Sequence, residues 1–555
     1  MKVMKFRHII PALMLAAGAL SLGSCEDMMD LGSDDYVFGE DNRLDSANDS
    51  LYSSVGILSQ LQKVGERYVL LGELRGDLVT VTENADMSLR EVSEFTAGSD
   101  NVYADRRDYY SIINNCNYAL ERMDTTIVEH QNRVMVPEYA AIRCIRAWTY
   151  FQMGLTYGSV KYVDKPILSL EESEMEYPVI GLDDLVDRLI DDISRYAAEK
   201  TPDNGLGSVY FQPRLLLADM FLYRNRYAEA ARLYYEYINE SHQTMSSYYS
   251  NCWETAQASE IKTREFLGFT TYYITGIRYN TDLRADRPNL INLTYSDTPS
   301  LVAARWWVDE MAAVTHFHIN NQGAPTIQGY LEGDTRGRFV FANGLTQESV
   351  SVGYAGESAE TLITKYRNQI TDINDQLTNP SNPLASGCMI NSLPLMRLSH
   401  VYLRYAEALN RMGKPTMAFA VLKYGLKPDV MADPEKIDPA ELEDNLAWTN
   451  FSSTDYSGSY GTACHGRGLG IDLQQSTYVI PEFDTPEQTM EWVEDEIMYE
   501  LAAETQFEGN RFFDLVRVNA HRGGTEYFAD RVSRRFENRD AARTRLLDRA
   551  NWWIK

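Results

Sequence analysis

Apolar residues recur at intervals of three and four along several parts of the chain, which is the period of one face of an α-helix. One such run contains Leu51, Val55, Leu58, Leu61 and Val64. Two later runs contain Cys116 and Cys144, whose apolar neighbours keep the same spacing. The pattern predicts amphipathic helices over most of residues 45–240 and again over 395–426, with both cysteines as small core residues.

Small residues recur at matching offsets in two of the helical segments. Ala218 lies twelve residues before Ala230, and Ala406 lies twelve residues before Ala418. Small side chains at this spacing allow two antiparallel helices to pack closely, as in a tetratricopeptide unit. A chance helical hairpin is the alternative for either segment taken alone, but its recurrence favours a tetratricopeptide-like helical hairpin scaffold.

Two segments lack the helical period. Residues 241–394 and 427–484 are rich in Tyr, Asn, Thr, Ser and Gly and contain only short apolar runs, which predicts loop-rich insertions with minor short strands. Thr485 then stands in position to cap a helix that begins at Pro486. We expect this last strong helix to extend to Val518. The fold class predicted is mostly α.

The N-terminus has the layout of a secretory signal. Basic residues at positions 2, 5 and 7 precede the apolar run IIPALMLAAGALSL, which is too short to cross a bilayer as a permanent helix. Leu-Gly-Ser then stands directly before Cys25 and resembles the lipobox that bacterial lipoprotein signal peptidase recognises. Residues 1–24 are therefore expected to be a lipoprotein signal peptide, with Cys25 as the site of lipidation. A chance cysteine after an ordinary signal is the alternative.

The residues after Cys25 are acidic and poor in core formers. Residues 25–44 are expected to form the lipidated cysteine and a flexible stalk, and no later run approaches the roughly 18 consecutive apolar residues of a membrane span. Glu26, Asp27 and Asp30 resemble the surface-export signal of Bacteroidetes lipoproteins. The expected location is thus the cell surface, anchored to outer-membrane lipid in the outer leaflet.

Charge and cysteine spacing exclude several classes of partner. The formal net charge is -28 for the full chain. A surface this acidic repels phosphate backbones, so no nucleic acid partner is expected. The remaining cysteines form no CxxC pair, and His316 and His318 have no third ligand nearby, so no metal site is predicted. No cofactor is expected; a structural calcium stays open because loop carboxylates are abundant, without EF-hand spacing.

Near the C-terminus, ELAAETQFEGNRFFDLVR, residues 500–517, resembles the signature of the SusD/RagB family of Bacteroidetes outer-membrane nutrient-binding lipoproteins, approximately E-[LT]-A-F-E-G-x-R-F-x-D-L-x-R. The matching residues are Glu504, Thr505, Phe507, Glu508, Gly509, Arg511, Phe512, Asp514, Leu515 and Arg517. Gln506 departs from the usual alanine.

Other segments resemble family motifs in the same order along the chain. They are LGELRGDLV, IINNCNYALERMD, IRAWTYFQMGLTYGSV, GDTRGRF, ITKYRN and LPLMRLSHVYLRYAEALNR. Glu73, Met153 and His400 depart from the family's usual Asp, Leu and Glu. The resemblance covers most of the mature chain and implies one SusD-like domain over residues 45–555, with a helical scaffold and a loop-rich ligand-binding half.

The resemblance also implies a function and a partner. Members capture glycans, or peptides in the RagB branch, perform no chemistry on them, and sit as a lid over a SusC-like TonB-dependent transporter. The expected function is therefore binding of oligosaccharide or polysaccharide and its delivery to such a transporter. A peptide-binding RagB-like role and a surface glycoside hydrolase are the alternatives.

In the family, ligand-contacting aromatic residues come from a loop before the N-x-C-N helix and from the mid-chain loops. The first region corresponds here to about residues 92–108 and the second to the segment that also holds Asn280 and Asp282. Ordinary packing is the alternative for each residue. The candidates are Phe95, Asn101, Tyr103, Tyr272, Tyr273, Tyr279 and Tyr295.

No catalytic residue is expected in the C-terminal signature. Glu508, Arg511, Asp514 and Arg517 follow each other at intervals of three with alternating charge. Residues at this spacing can pair along one helix face. We therefore expect the four side chains to form a ladder of local ion pairs rather than an active site.

Overall fold

The computed structural model describes residues 47–203, 207–243, 245, 273–279, 288–320, 324–334, 336–342, 361–365, 392–451, 461–462 and 465–555. The signal peptide, Cys25, the whole stalk, Tyr272, Asn280 and Asp282 lie outside these residues, as does the side chain of Tyr273.

Helices dominate the first part of the chain, as the apolar period predicts. They are α1 (Ala47–Leu74), α2 (Met87–Ser93), α3 (Arg107–Arg122), α4 (Val136–Tyr157), α5 (Leu170–Ser173), α6 (Leu182–Ile193), α7 (Pro213–Tyr223) and α8 (Tyr227–Ser241). Three-residue 3-10 turns occupy Val102–Ala104, Ser194–Tyr196 and Gly207–Val209. Cys116 on α3 and Cys144 on α4 are buried in the core, which confirms their expected place.

The loop-rich middle contains short elements. Its helices among the described residues are α9 (Leu290–Thr294), α10 (Arg305–Ala313) and α11 (Gly337–Val340). The strands of the described chain are β1 (Val79–Val81), β2 (Val128–Glu129), β3 (Asn132–Arg133), β4 (Ser159–Lys161), β5 (Val179–Gly181), β6 (Tyr273–Arg278), β7 (Leu301–Ala303), β8 (Thr315–Asn320), β9 (Thr326–Glu332), β10 (Phe341–Ala342), β11 (Leu362–Ile363) and β12 (Ser392–Arg397).

The described strands form two-stranded antiparallel ribbons. The pairs are β1 with β7, β2 with β3, β4 with β5, β6 with β12, β8 with β9, and β10 with β11. The β1–β7 pair joins distant parts of the sequence, with Val79 opposite Ala303. This ribbon ties the first loop region to the mid-chain insertion.

A second group of helices completes the scaffold. These are α12 (Leu398–Arg411), α13 (Pro415–Lys423), α14 (Pro428–Met431), α15 (Pro486–Thr505), α16 (Arg511–Arg522), α17 (Glu526–Val532) and α18 (Arg539–Leu546). Further 3-10 turns occupy Pro439–Leu442, Ala447–Thr449, His465–Arg467, Leu469–Asp472, Ser533–Arg535 and Arg549–Trp552. The mostly α fold class is confirmed.

The two predicted helical hairpins are present as α7–α8 and α12–α13. The four spaced alanines, Ala218, Ala230, Ala406 and Ala418, are completely buried. Since an alanine leaves room for the opposing backbone, the helices of each pair approach closely. The structure therefore confirms the hairpins at the residues that predicted them.

The expected single helix from Pro486 to Val518 is wrong in its second half. Thr485 caps α15 through a capping box with Gln488, as predicted, but α15 ends at Thr505 and α16 begins at Arg511. Phe507 and Gly509 have positive φ angles of 64° and 90° between the two helices. An α-helix excludes such angles, so the chain turns sharply here.

One continuous apolar cluster runs through the molecule, from Ile57 on α1 to Ile554 near the C-terminus. Tyr295, Val302 and Leu362 form a small separate cluster under the loops. Among the described residues, no helix has both the length and the apolar composition that a bilayer-spanning helix requires.

Candidate functional site

Two segments predicted to hold ligand residues meet on one stretch of α1. Tyr279 Oη donates a hydrogen bond to the Gln62 carbonyl at 3.1 Å. One turn later, the Glu66 carboxylate accepts a hydrogen bond from the backbone N–H of Asn289. Arg67 donates from its guanidinium to the Asp105 carbonyl at 2.5 Å. The region 92–108 therefore meets the same part of the helix as Tyr279 and Asn289.

A ribbon holds the two segments together. Next to the β1–β7 pair, Thr82 Oγ1 donates to the Pro299 carbonyl at 2.5 Å. Trp306 Nε1 donates to the Asp77 carbonyl at 2.6 Å. These bonds fix the mid-chain segment to residues near the end of α1, although more than 200 positions separate their partners in sequence.

Asn101 sets the position of Tyr103. Its Oδ1 accepts from the Tyr103 backbone N–H at 2.9 Å and so caps the 3-10 turn Val102–Ala104. Its Nδ2 donates to the Ser88 carbonyl at 3.0 Å and to Glu91 Oε2 at 2.8 Å. Asn101 is buried with its amide engaged in these bonds, whereas Tyr103 is half-buried. The hydrogen bonds of Asn101 thus fix the backbone position of Tyr103.

Charged groups surround the Tyr103 phenol. Burial raises the pKa of Tyr103, and the nearby carboxylates of Glu66 and Asp86 raise it further, while Arg67 lowers it. The hydroxyl therefore stays neutral at ordinary pH and can donate a hydrogen bond. Burial also raises the pKa of Glu66, against the opposing hydrogen bond from Asn289.

The edge of this region carries an ordered ion-pair chain. Arg67 Nη2 donates to Asp108 Oδ2 at 3.0 Å. Arg107 Nε donates to Asp105 Oδ2 at 2.7 Å, and the hydrogen bonds from Arg107 lower the pKa of Asp105. We call Glu66, Arg67, Tyr103, Asp105 and Asn289 the Tyr103 surface.

The Tyr103 surface combines one aromatic ring with carboxylate, guanidinium and amide groups. An aromatic face can stack on the C–H surface of a sugar ring, and planar polar groups bind hydroxyls. These groups are suited to reversible binding of a ligand that is rich in hydroxyl groups.

The remaining candidates lie elsewhere. Phe95 is half-buried, and its ring packs against the core, with its centre 6.5 Å from that of Phe512 and 6.2 Å from that of Phe528. Tyr279 is buried in the main core and Tyr295 in the small separate cluster. Phe95 and Tyr103 are therefore the described aromatic candidates that stay partly exposed, and Tyr103 is the one placed near Glu66 and Arg67. Trp307, on α10, is buried in the core.

The expected ladder of ion pairs along the signature is wrong except at one step. Arg517 Nη1 donates to Asp514 Oδ1 at 2.6 Å. Glu508, however, lies before α16 begins and pairs with Lys365 at 2.5 Å and with Arg397 at 2.9 Å. Long-range partners replace the local ones because the chain turn at 506–510 removes Glu508 from the helix face.

Arg511 also finds its partner far away in sequence. It forms a bidentate pair with Asp77, with N–O distances of 2.6 and 3.0 Å. Beside it, Glu73 Oε1 accepts from the Gly509 backbone N–H at 2.8 Å. The side chains of Glu73, Asp77 and Arg511 are buried in this contact. The motif segments around 73–77 and 508–511 are therefore bonded directly to each other.

A third motif segment joins this network. Arg336 bonds to Asp334 at 2.6 Å, to Glu500 at 2.8 Å and to Glu504 at 3.0 Å, and all four side chains are buried. Sequence reasoning missed these pairs. The signal that could have revealed them is the presence of charged residues inside otherwise apolar motif segments, since an unpaired buried charge is costly.

Comparison with known proteins identifies solved structures that share this architecture. No protein-family model matches the sequence, and no curated protein matches it. Solved structures do match. A SusD superfamily protein from Bacteroides vulgatus has a TM-score of 0.59 at 13% identity, covering 90% of this chain and 93% of that chain. The chain has the SusD-like fold.

Two further SusD-like structures agree. A SusD-like carbohydrate-binding protein from Bacteroides fragilis has a TM-score of 0.55 at 14% identity, covering 86% of this chain and 88% of its own. A laminarin-binding SusD-like protein has a TM-score of 0.52 at 14% identity, with coverages of 92% and 96%. The resemblance found in the sequence motifs is thus confirmed at the level of the fold.

Other cavities lie elsewhere in the SusD-like scaffold. An interior cavity of about 60 Å³ is lined by residues that include Trp148, Gln152 and Asn510. It is far smaller than the roughly 300–1,000 Å³ of typical ligand pockets. An open cleft of about 570 Å³ lies beside α7 and α8 and is lined by residues that include Arg214 and Tyr237.

A second open cleft, of about 530 Å³, lies between α3, α4 and α6. Its two tyrosine faces are already covered. The Arg188 guanidinium lies 4.1 Å from the centre of the Tyr162 ring, and that of Arg143 lies 4.9 Å from the centre of Tyr139. A sugar would have to displace these guanidinium groups in order to stack on either ring, which makes this cleft a weaker glycan candidate.

The described residues contain no group of three His, Cys, Asp or Glu side chains that could hold a metal ion. Burial raises the pKa of the Cys116 thiol to about 12, so this cysteine stays protonated and unreactive at neutral pH. The side chains of His316 and His318 lie outside the described part of the SusD-like fold.

Proposed function

We propose that this protein binds oligosaccharide or polysaccharide at the cell surface. The observation that carries the proposal is the meeting of residues 92–108 with Tyr279 and residues 288–295 on α1, which places Tyr103 near carboxylate, guanidinium and amide groups. Structural neighbours that are described as binding carbohydrate, one of them laminarin, support the same ligand class.

Binding at the Tyr103 surface would combine stacking with hydrogen bonding. The Tyr103 ring would cover an apolar sugar face, and its neutral hydroxyl would donate to a ring substituent. The Arg67 guanidinium would donate hydrogen bonds to sugar oxygens, and the carboxylates of Glu66 and Asp105 would accept hydrogen bonds from sugar hydroxyls. Nothing in this arrangement cleaves a bond, so the proposed role is non-enzymatic capture.

The proposal includes delivery to a SusC-like TonB-dependent transporter. The motif resemblance supports this partner, and the SusD-like fold agrees with it. Anchoring through acylated Cys25 would hold the protein beside the transporter, since each buried CH₂ contributes about 0.8 kcal/mol to membrane attachment.

The first test is calorimetric titration of residues 26–555 against a panel of glycans and mixed peptides. We expect saturable glycan binding without product formation. Tyr103→Ala should weaken it about tenfold, because loss of one aromatic contact is worth roughly 1.4 kcal/mol. Tyr330→Ala is the matched control, since Tyr330 is an exposed tyrosine on another element.

Other results would change the conclusion. Binding of peptides with silence on every glycan would favour the RagB-like role. Release of reducing ends would identify a glycoside hydrolase. Equal loss of affinity in the Tyr103 and Tyr330 variants would show that the Tyr103 surface is not the specific site of glycan binding.

The anchor has a separate test. Cys25→Ser should abolish incorporation of a radiolabelled fatty acid and release the protein from the outer-membrane fraction. Glycan binding by the released protein should be unchanged. Membrane retention of the Cys25→Ser protein would contradict lipidation at this residue.

A further inference from the structure

The connection between β4 and β5 displays an unusual density of apolar side chains. Among the described residues, four of the eleven exposed large apolar side chains lie between positions 168 and 179. Their exposed fractions are 60% for Leu168, 75% for Leu170, 57% for Met175 and 66% for Val179. We call these four residues the apolar ridge. Single exposed apolar residues are ordinary, but a cluster of them marks an interaction site.

Hydrogen bonds order the segment that carries the ridge, although the ridge side chains do not pack into the core. Helix α5, Leu170–Ser173, contains no buried residue. A capping box orders it: Glu172 N–H donates to Ser169 Oγ at 3.2 Å, and Ser169 N–H donates to Glu172 Oε2 at 3.0 Å. Tyr177 Oη donates back to the Glu172 carbonyl at 2.8 Å, which folds the following residues onto the helix.

The base of the connection is also fixed. Asn114 on α3 donates to the Ile167 carbonyl at 3.1 Å and accepts from the Ile167 N–H at 2.7 Å. Asn117 donates to the carbonyls of Val163 and Lys165 at 2.9 and 3.1 Å. Such pre-organisation lowers the entropy cost of binding a partner. The polar loop bonds therefore hold the apolar side chains outward.

Exposed acidic residues alternate with the apolar ridge along the sequence. Glu171, Glu174 and Glu176 are all exposed within the same segment. The full chain carries a formal charge of -28, so a second copy of it and an anionic lipid surface are both repelled. The four ridge side chains are aliphatic and offer no aromatic face to a sugar.

Next to the ridge lies the open cleft between α3, α4 and α6. Asp164, Lys165 and Pro166 line it and lead directly into the ridge. Its other walls carry Tyr139 and Tyr162 beneath arginine side chains. Tyrosine and arginine are the residue types that contribute most strongly at protein interfaces.

We infer that the apolar ridge docks into a partner protein that presents an apolar groove edged by lysine and arginine. Leu168, Leu170, Met175 and Val179 enter the groove, and the three exposed glutamates pair with its basic edge. The adjoining Tyr–Arg cleft extends the contact. This inference does not depend on which ligand binds the Tyr103 surface.

The test is photo-cross-linking of the full lipoprotein in its own cells. A benzophenone amino acid replaces Leu170 in one variant and Val479 in a control, since Val479 is an exposed apolar residue outside the ridge. We expect one cross-linked protein from position 170 and none from position 479. The cross-linked peptide of the partner should contain apolar residues flanked by lysine or arginine.

Two changes then test the chemistry of the contact. The triple variant Glu171→Lys, Glu174→Lys, Glu176→Lys should lower the cross-link yield at least fivefold, and Val179→Ser together with Met175→Ser should lower it by a similar factor. Val479→Ser should leave the yield unchanged. Thermal unfolding should show that all variants stay folded, because none of the substituted residues is buried.

Several outcomes would overturn the inference. Cross-links to lipid, to a second copy of the chain or to no molecule would each do so, as would a yield that is insensitive to glutamate reversal. Glycan titration of the ridge variants keeps the two proposals separate. Ridge variants that lose the cross-link but bind glycan as the parent does would support the docking inference. Absence of glycan binding in the parent and in the ridge variants would count against the proposed function and would leave the docking inference unaffected.

Discussion

Glu73 shows how a single side chain is constrained by the packing around it. Its Oε1 accepts from the Gly509 N–H at 2.8 Å, while Oε2 is buried without a hydrogen-bond partner. Burial is the largest effect on this carboxyl and raises its pKa to about 7. The carboxylate form is therefore costly in the folded protein.

Stability should depend on pH through Glu73. Between the ordinary carboxyl pKa and about 7, the folded state holds a proton that the unfolded state releases, so the free energy of unfolding falls as pH rises. In Glu73→Gln this loss is absent. We expect the stability of the variant relative to the parent to rise by about 2 kcal/mol between pH 5 and pH 8, measured by urea unfolding.

The control for this prediction is Glu83→Gln, because Glu83 is exposed on the neighbouring loop. Its stability relative to the parent should stay constant over the same pH range. A pH-independent difference between Glu73→Gln and the parent would show that Glu73 remains ionised in the folded protein.

His400 illustrates the same principle with the opposite charge. It stands where the related motif usually has glutamate, and its Nδ1 accepts from the Arg397 N–H at 2.9 Å at the start of α12. Burial, followed by the nearby cations Arg404 and Arg397, holds its pKa well below the ordinary value. A neutral imidazole here accepts one hydrogen bond and forms no ion pair.

At the scale of elements, the decisive contact is that of α1 with the turn between α15 and α16. A Cβ on residue 72 would overlap the Gly509 carbonyl, and one on Gly509 would lie 2.8 Å from the Val69 Cα. Both glycines are therefore required by close backbone approach. This contact explains why the C-terminal segment turns instead of continuing as one helix.

Two glycines on α1 provide a matched prediction. Gly72→Ala should destabilise the protein by about 3 kcal/mol, because the overlap with backbone can be relieved only by separating α1 from the turn. Gly56→Ala should stabilise it by about 0.5–1 kcal/mol, since a Cβ at Gly56 meets nothing within 4 Å and alanine favours the helix. Chemical unfolding of both variants measures the difference.

The signs of the two effects carry the test. A Gly72→Ala protein as stable as the parent would mean that α1 and the 506–510 turn are not packed as described. Destabilisation by Gly56→Ala would instead indicate that residue 56 contacts another part of the protein.

At the scale of the whole molecule, the two ends of the described chain are joined. Arg535 donates to the carbonyls of Leu74 and Gly76 at 2.7 and 2.8 Å. The Ile554 N–H donates to the Thr156 carbonyl at 3.1 Å. From these bonds and the continuous apolar core, we propose that the described parts of the chain form one cooperative unit, as the sequence resemblance implies for residues 45–555.

Calorimetry of residues 26–555 tests this organisation. We expect one unfolding transition whose calorimetric and van't Hoff enthalpies agree, because neither half of the core is complete alone. Two separated transitions, or a stable folded fragment released by limited proteolysis, would show that the chain contains independent domains.

Local pattern alone determined much of this protein. The period of apolar residues placed the helices, the spaced alanines placed both hairpins, and Thr485 with Pro486 placed the start of α15. Order along the chain also sufficed for the family resemblance. These features depend on neighbouring residues, so their physical causes are present in the sequence.

Only the tertiary structure decided which side chains face solvent and which charges pair. Phe95, Asn101 and Tyr103 lie in one short segment, yet Asn101 is buried and caps a turn, the half-buried Phe95 ring packs against Phe512 and Phe528, and the half-buried Tyr103 lies near Glu66 and Arg67. Arg511 pairs with Asp77 across 434 positions rather than with a helix neighbour. Burial and long-range pairing depend on segments that meet in space, and local spacing carries no information about which segments those are.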